Sequence, residues 1–259
     1  MRRSLVLCIL MALLSLGISK VEPAQSQPSE LLVAAASNLA DVFTAIAQEF
    51  QTSTEIKVTF SFGSTSSLAR QIENGAPFDL FAAADVANVD TLIQKSLVIP
   101  ESKRLYARGR LILWWPADSK VQLDKLQDLL KPEVKRIALA NPQLAPYGEA
   151  AKEALTALGL WNTLQPKLIF AENVSATKQF VATGNAEAAF IPISLAQPGK
   201  DRFLNVSGRL HRPLDQALGI VKVSKNQIIA QRFVDFLSGD LGHAILEEFW
   251  YSIPCPEKK

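Results

Sequence analysis

Cysteine and histidine are nearly missing from this chain, with two of each in 259 residues. Cys8 lies inside an apolar stretch at the N-terminus and Cys255 lies near the other end. If the N-terminal stretch is removed, only Cys255 remains, which excludes an internal disulfide and a cysteine metal cluster. His211 and His243 are far apart and neither has the H-x-x-x-H partner of a helical metal site. There is also no Lys/Arg cluster, so the basic face expected of a nucleic-acid binder is absent. Beyond residue 17 no uncharged apolar run is long enough to span a bilayer.

The N-terminus reads as a secretory signal: Met1-Arg2-Arg3 is basic and residues 4–17 are uncharged and apolar. Small residues permit cleavage after Ser19 or after Ser26, and the second is expected, because folded-looking sequence begins only near Glu30. Cys8 sits within the apolar run rather than at its end, which argues against a lipid anchor. Loss of residues 1–26 removes Arg2, Arg3, Lys20 and Glu22, so 27 basic and 25 acidic residues become 24 and 24. The mature protein is then close to neutral and long enough for one large domain or two small ones.

What the chain does have is alternation. Short apolar or β-branched runs at residues 31–36, 56–62, 79–84, 111–115, 136–140, 167–170, 188–193 and 218–223 read as strands. Amphipathic helical stretches lie between them. In the first, Leu39, Val42, Phe43, Ile46, Ala47 and Phe50 form one stripe at helical spacing. Later helices at 67–74, 149–158 and 175–183 each run into a glycine suited to a left-handed cap, namely Gly75, Gly159 and Gly184. Two more helices are expected at about 226–237 and 240–250. The fold class is α/β, and eight strands at this spacing suit two similar lobes better than one sheet.

Four strands hand over to helices through Ser37-Asn38, through Gly63–Ser66, through Asn141–Pro146 to Tyr147-Gly148 and through Ala171–Asn173 to Val174. In open α/β sheets ligands bind at such carboxyl ends of strands. A helix start offers unpaired N–H groups and roughly half a positive charge. The hydroxyls of Ser37 and Thr65 would add directed donors. The first two turns contain no Lys, Arg, Asp or Glu, so the site they imply offers donors only. Such a site suits a fully deprotonated anion. A protonated one would leave an O–H without an acceptor, at about 1–3 kcal/mol. Glu149 or Glu172 turned inward would weaken that reasoning. Ser, Thr and Asn before a helix are also ordinary N-caps, and one turn alone does not separate cap from ligand.

Enzymatic alternatives find little support. Gly63-Ser-Thr-Ser-Ser67 lacks the second glycine of a nucleophile elbow. Ser175-Ala-Thr-Lys178 matches the S-x-x-K pattern of acyl-serine enzymes, but its companion motifs S-D-N and K-T-G are missing, so a serine-dependent hydrolase is the minor alternative. An organic anion would call for an arginine clamp, and Arg70 lies a turn into its helix.

At these turns the chain resembles the periplasmic molybdate-binding proteins of bacterial ABC importers, which have the type II periplasmic binding protein fold. The matching segments are Leu32-Val-Ala-Ala-Ala-Ser37-Asn-Leu, then Phe62-Gly-Ser-Thr-Ser-Ser-Leu-Ala-Arg-Gln-Ile-Glu-Asn-Gly-Ala-Pro-Phe-Asp-Leu-Phe81 with Ala82-Ala-Ala-Asp85. They continue with Asn141-Pro142, Pro146-Tyr-Gly and Ala151-Lys-Glu-Ala-Leu155, and end with Ala171-Glu-Asn-Val174. The resemblance implies an oxyanion site of Ser37, Asn38, Thr65, Tyr147 and Val174, with the last two acting through backbone N–H groups. It implies capture of molybdate and also tungstate, with sulfate as an alternative oxyanion, and delivery to an inner-membrane ABC permease. Neither catalysis, a cofactor nor a bare metal ion is expected, since molybdenum would arrive as molybdate. The implied protein is a periplasmic monomer with a signal peptide at 1–26, lobe I at 27–107, lobe II at 108–215 and a returning part of lobe I at 216–259. Many members place a tyrosine ligand where this chain has Pro192, which has neither a side-chain donor nor an N–H.

Overall fold

A computed structural model describes residues 30–197 and 199–254. The expected signal peptide and Cys255 lie outside the described residues. Ten strands form two five-stranded sheets. The first sheet has the order β2-β1-β3-β10-β4, from β1 (Glu30–Ala36), β2 (Lys57–Gly63), β3 (Leu80–Ala82), β4 (Arg104–Gly109) and β10 (Leu214–Ile220). The second has the order β7-β6-β8-β5-β9, from β5 (Leu111–Pro116), β6 (Ile137–Ala140), β7 (Leu168–Ala171), β8 (Ala188–Pro192) and β9 (Asp201–Asn205). In each sheet four strands run in one direction and one, β10 in the first and β5 in the second, runs antiparallel to them. Two like lobes result, as the alternation predicts.

The central strand of each sheet is apolar along its length because helices cover both faces. In β1 every residue from Leu31 to Ala36 except the half-buried Leu32 is buried. Helix α1 (Ala40–Thr54) lays the expected stripe on this sheet, with Val42, Phe43, Ile46, Ala47 and Phe50 all buried. Each large side chain there contributes about 1.5–3 kcal/mol. Phe50 meets Phe233 edge to face, with ring centroids 5.2 Å apart. Phe233 belongs to α7 (Gln227–Leu237), so the C-terminal segment closes the core of the first lobe. Gly75, Gly159 and Gly184 have φ of 85°, 69° and 71°, the left-handed caps that the helix ends predict.

Several boundaries differ from the sequence reading, each for a physical reason. Strands β4 and β9 escape a search for apolar runs because both lie at sheet edges, pair on one side and carry arginine or aspartate. Strand β10 begins at Leu214 rather than 218, its early part disguised by Asp215 and by a fully buried Gln216. The expected lobe limits at 107/108 and 215/216 therefore fall within β4 and β10. The chain passes between sheets at Arg110 and again at residues 206–213. Helix α3 (Ala87–Gln94) is rich in weak helix formers and α5 (Trp161–Leu164) is one turn, so neither has a periodic signature.

Candidate functional site

Helices at the critical turns begin one to three residues earlier than their apolar periodicity suggests. Helix α2 spans Thr65–Glu73, α4 spans Pro146–Ala157 and α6 spans Val174–Ala182. A 3-10 turn, Ser37–Leu39, precedes α1. Apolar residues mark where a helix meets the core, whereas its first turn rises above the sheet edge. As a result Thr65 and Val174 occupy the first helical position and Tyr147 the second. An N–H at these positions has no intrahelical acceptor. None of the three donates to another backbone carbonyl among the described residues.

The cap-or-ligand question is answered turn by turn. Ser64 before α2, Ala145 before α4 and Ala36 before the 3-10 turn accept no side-chain capping bond. Only Asn173 caps its own helix, its side chain accepting from the Ala176 N–H at 3.0 Å. Three helix starts thus keep their first-turn donors free of local caps.

The fold brings all four turns together. Across the lobes the Ser175 hydroxyl donates to the Ser37 carbonyl at 3.2 Å, placing the start of α6 beside the first turn. The Ser66 N–H donates to the Leu144 carbonyl at 3.1 Å, placing α2 beside the approach to α4. Ser37, Asn38, Thr65, Tyr147 and Val174 are all at least 96% buried. The Thr65 hydroxyl accepts from the Ala84 N–H at 3.2 Å, which leaves its own hydrogen for another acceptor. Gly148, one residue past Tyr147, lets α4 press against the end of β6, since a Cβ there would lie 2.1 Å from the Ala140 carbonyl oxygen.

Carboxylates stay out of this enclosure. Glu149 reaches outward to Arg212, and Glu172 is exposed. Asp85 lines a crevice with Glu149, Glu153 and Arg212, whose wall includes Ala84 and Pro146. Burial pushes the Asp85 carboxyl above its ordinary range against bonds from Asn88 that lower it, with Glu149 and Asp90 adding repulsion. Arg70 is exposed, its Nε lying 3.4 Å from the Ser66 carbonyl. Among the described residues no group of three or more His, Cys, Asp or Glu side chains is placed to hold a metal ion.

The side chains of Tyr147, expected to act only through its backbone N–H, and of Asn38 both have protein partners. The Tyr147 hydroxyl lies 3.0 Å from Gln216 Nε2, leaving only its backbone for a ligand. Asn38 Nδ2 lies 2.9 Å from Gln216 Oε1 and 2.9 Å from the Tyr251 hydroxyl, while its Oδ1 is buried without a partner. Tyr251 also donates to the Asn38 carbonyl at 2.9 Å and meets Ser194 Oγ at 3.0 Å. Burial raises the phenols of Tyr106 and Tyr147 well above their ordinary value and that of Tyr251 to about 12, so all three stay neutral. Gln216 and Tyr251 were not legible as site residues, because neither follows a strand into a helix.

The S-x-x-K pattern separates in space. Ser175 bonds Ser37, whereas Lys178 donates to the Leu195 carbonyl and lies over the Trp114 ring. An ammonium held by a carbonyl and a ring face is no base for that serine.

The model of the family described as bacterial extracellular solute-binding protein matches residues 31–252. A molybdate-binding protein of Azotobacter vinelandii is 36% identical over 234 residues, spanning 88% of this chain and 92% of that protein. Its counterpart in Rhodobacter capsulatus is 31% identical, spanning 86% and 88%. The solved periplasmic molybdate-binding protein of A. vinelandii superposes with a TM-score of 0.81 at 29% identity, over 87% of this chain and all of that one. A sulfate-binding protein of Mycobacterium tuberculosis, at 13% identity and a TM-score of 0.74 over 88% of each chain, shares the fold.

Proposed function

The chain belongs to the bacterial extracellular solute-binding protein family, and from that premise we propose that it captures molybdate outside the cytoplasm and delivers it to an ABC-type permease. The observation that carries this reading is the meeting of four helix starts, two from each lobe, in one buried, carboxylate-free enclosure. Ser37 and Thr65 give hydroxyl and backbone donors. Tyr147 and Val174 give backbone N–H groups, and Asn38 adds an amide. The positive ends of the helices balance the charge of a dianion without a cationic side chain.

The donor-rich composition favours molybdate over hydrogen phosphate, whose proton would find no carboxylate to accept it among the four turns. Tungstate, with the same charge and shape, is bound too. Pro192 ends β8 with extended backbone and provides no donor, while Ser194, two residues on, bonds the Asn38 carbonyl at 3.3 Å. Ser194, rather than Pro192, thus ties the lobes at the end of β8. The ion bridges both lobes, so its arrival favours closure and its release requires opening at the permease. No step of this cycle calls for catalysis or a cofactor. We further propose that the protein works as a monomer in the periplasm after loss of residues 1–26.

The test is a thermal-shift panel of molybdate, tungstate, sulfate, phosphate and chromate on the mature protein. At 100 times the dissociation constant a ligand stabilises by about 2.7 kcal/mol. Molybdate and tungstate are expected to raise Tm and phosphate to leave it unchanged. A shift with phosphate alone would refute the assignment.

A further inference from the structure

A buried chain of side chains runs behind the helix starts: Tyr106 and Tyr147 to Gln216, Gln216 to Asn38, Asn38 to Tyr251 and Ser194. Gln216 is fully buried, 178 residues from Asn38 in sequence. Gly109 makes room for it, because a Cβ there would lie 1.9 Å from the Tyr147 hydroxyl and 2.8 Å from Gln216 Nε2. Two other elements of the first lobe and one of the second therefore converge on a single carboxamide.

Carboxamide oxygen and nitrogen are alike in shape, so hydrogen bonds decide which is which. With Asn38 Nδ2 turned to Gln216, Asn38 Oδ1 is a buried acceptor with no donor. The Tyr147 hydroxyl, receiving from Gln216 Nε2, then has no acceptor for its own hydrogen. Turning both amides over resolves each conflict. Tyr147 donates to Gln216 Oε1, and Gln216 Nε2 donates to Asn38 Oδ1 and to Tyr106, which passes its hydrogen to the Ala83 carbonyl 3.0 Å away. Tyr251 then turns its single hydrogen from the Asn38 carbonyl to Asn38 Oδ1, 2.9 Å away at the present amide position, and the Ser194 hydroxyl keeps the carbonyl. The end of Asn38 without a protein partner becomes an N–H donor, and buried polar groups left unpaired are the costly ones.

We propose that Gln216 is a positioning residue that orients Asn38, holding its amide N–H toward the bound oxyanion. This rests on the binding reading above. Tyr147 thereby serves twice, its backbone at the anion and its hydroxyl on Gln216, so closure of the second lobe sets the orientation of a donor in the first. The neutral phenols let the network do this without bringing a negative charge near the ion.

The test is a double-mutant cycle read by calorimetric titration with sodium molybdate between pH 5.5 and 8.5. Asn38→Ala and Gln216→Met are each expected to weaken binding by about 10- to 100-fold, the effect of losing a hydrogen bond to a charged group. In the Asn38→Ala background, Gln216→Met is expected to have no further effect beyond about twofold. Gln216→Glu is expected to bind poorly at pH 8.5, where a carboxylate draws the Asn38 N–H to itself, and to regain affinity toward pH 5.5 as it protonates. That recovery is expected to vanish in the Asn38→Ala background, whereas simple charge repulsion would persist there. Should Gln216→Met not fold, Tyr147→Phe removes only the hydroxyl that fixes Gln216 and enters the same cycle. Additive losses would overturn the proposal, as would Asn38→Ala binding at full strength while Ser37→Ala with Thr65→Ala abolishes binding. Full binding in both of those variants would sink the site assignment itself.

Discussion

In the first lobe the chain leaves β1 and β2 through Ser37 and Thr65, residues with hydroxyls to offer. In the second it leaves β6 and β7 toward Tyr147 and Val174, whose side chains turn to Gln216 and to the core. In both sheets three successive parallel strands lie in the order second, first, third. Helix starts in the first lobe carry side-chain chemistry, whereas those in the second act through backbone geometry. One half of the site is therefore sensitive to which residue is present, and the other to where the helix is held.

The sharpest way to break this comparison is Ser37→Ala combined with Thr65→Ala. Two hydrogen bonds to a charged ligand, at about 1.5–3 kcal/mol each, correspond to a roughly 10²- to 10⁴-fold loss of molybdate affinity. Isothermal titration of the folded double variant measures it, and unchanged affinity would remove these hydroxyls from the site.

Gly148→Ala attacks the second lobe through its geometry. The added methyl meets the Ala140 carbonyl at 2.1 Å, so the first turn of α4 must shift. Overpacking of this kind costs about 1–3 kcal/mol. A lower Tm is expected, with affinity weaker by at least about tenfold because the Tyr147 N–H moves with that turn. Full affinity at a reduced Tm would show that the α4 start does not touch the ion.

The smallest effect is expected from Val174→Ala. The variant keeps the N–H and loses only buried methyl groups, so affinity should stay within about twofold. Stability should fall by roughly 1.5 kcal/mol in chemical denaturation. A large affinity loss here would show that the second lobe also works through side chains.

Much of the fold follows from local pattern. The stripe from Leu39 to Phe50, the glycine caps and the apolar central strands need only periodicity and turn chemistry to be read. The four turns are legible for the same reason, since strand-to-helix handovers are contiguous in the chain. Edge strands β4 and β9 are not, because one-sided pairing leaves no apolar run. Nor is Gln216, a polar residue inside an inner strand, whose partners lie on three other segments.

The sequence by itself determined the alternation of elements, the four donor-rich turns and the lack of carboxylates in the first two of them, all properties of neighbouring residues. The tertiary structure alone decided that those turns converge, that Glu149 and Glu172 stay outside, and that Asn38 answers to Gln216 and Tyr251. Hydrogen-bond partners separated by 178 and 213 residues are set by how two sheets close on each other, which no local spacing records.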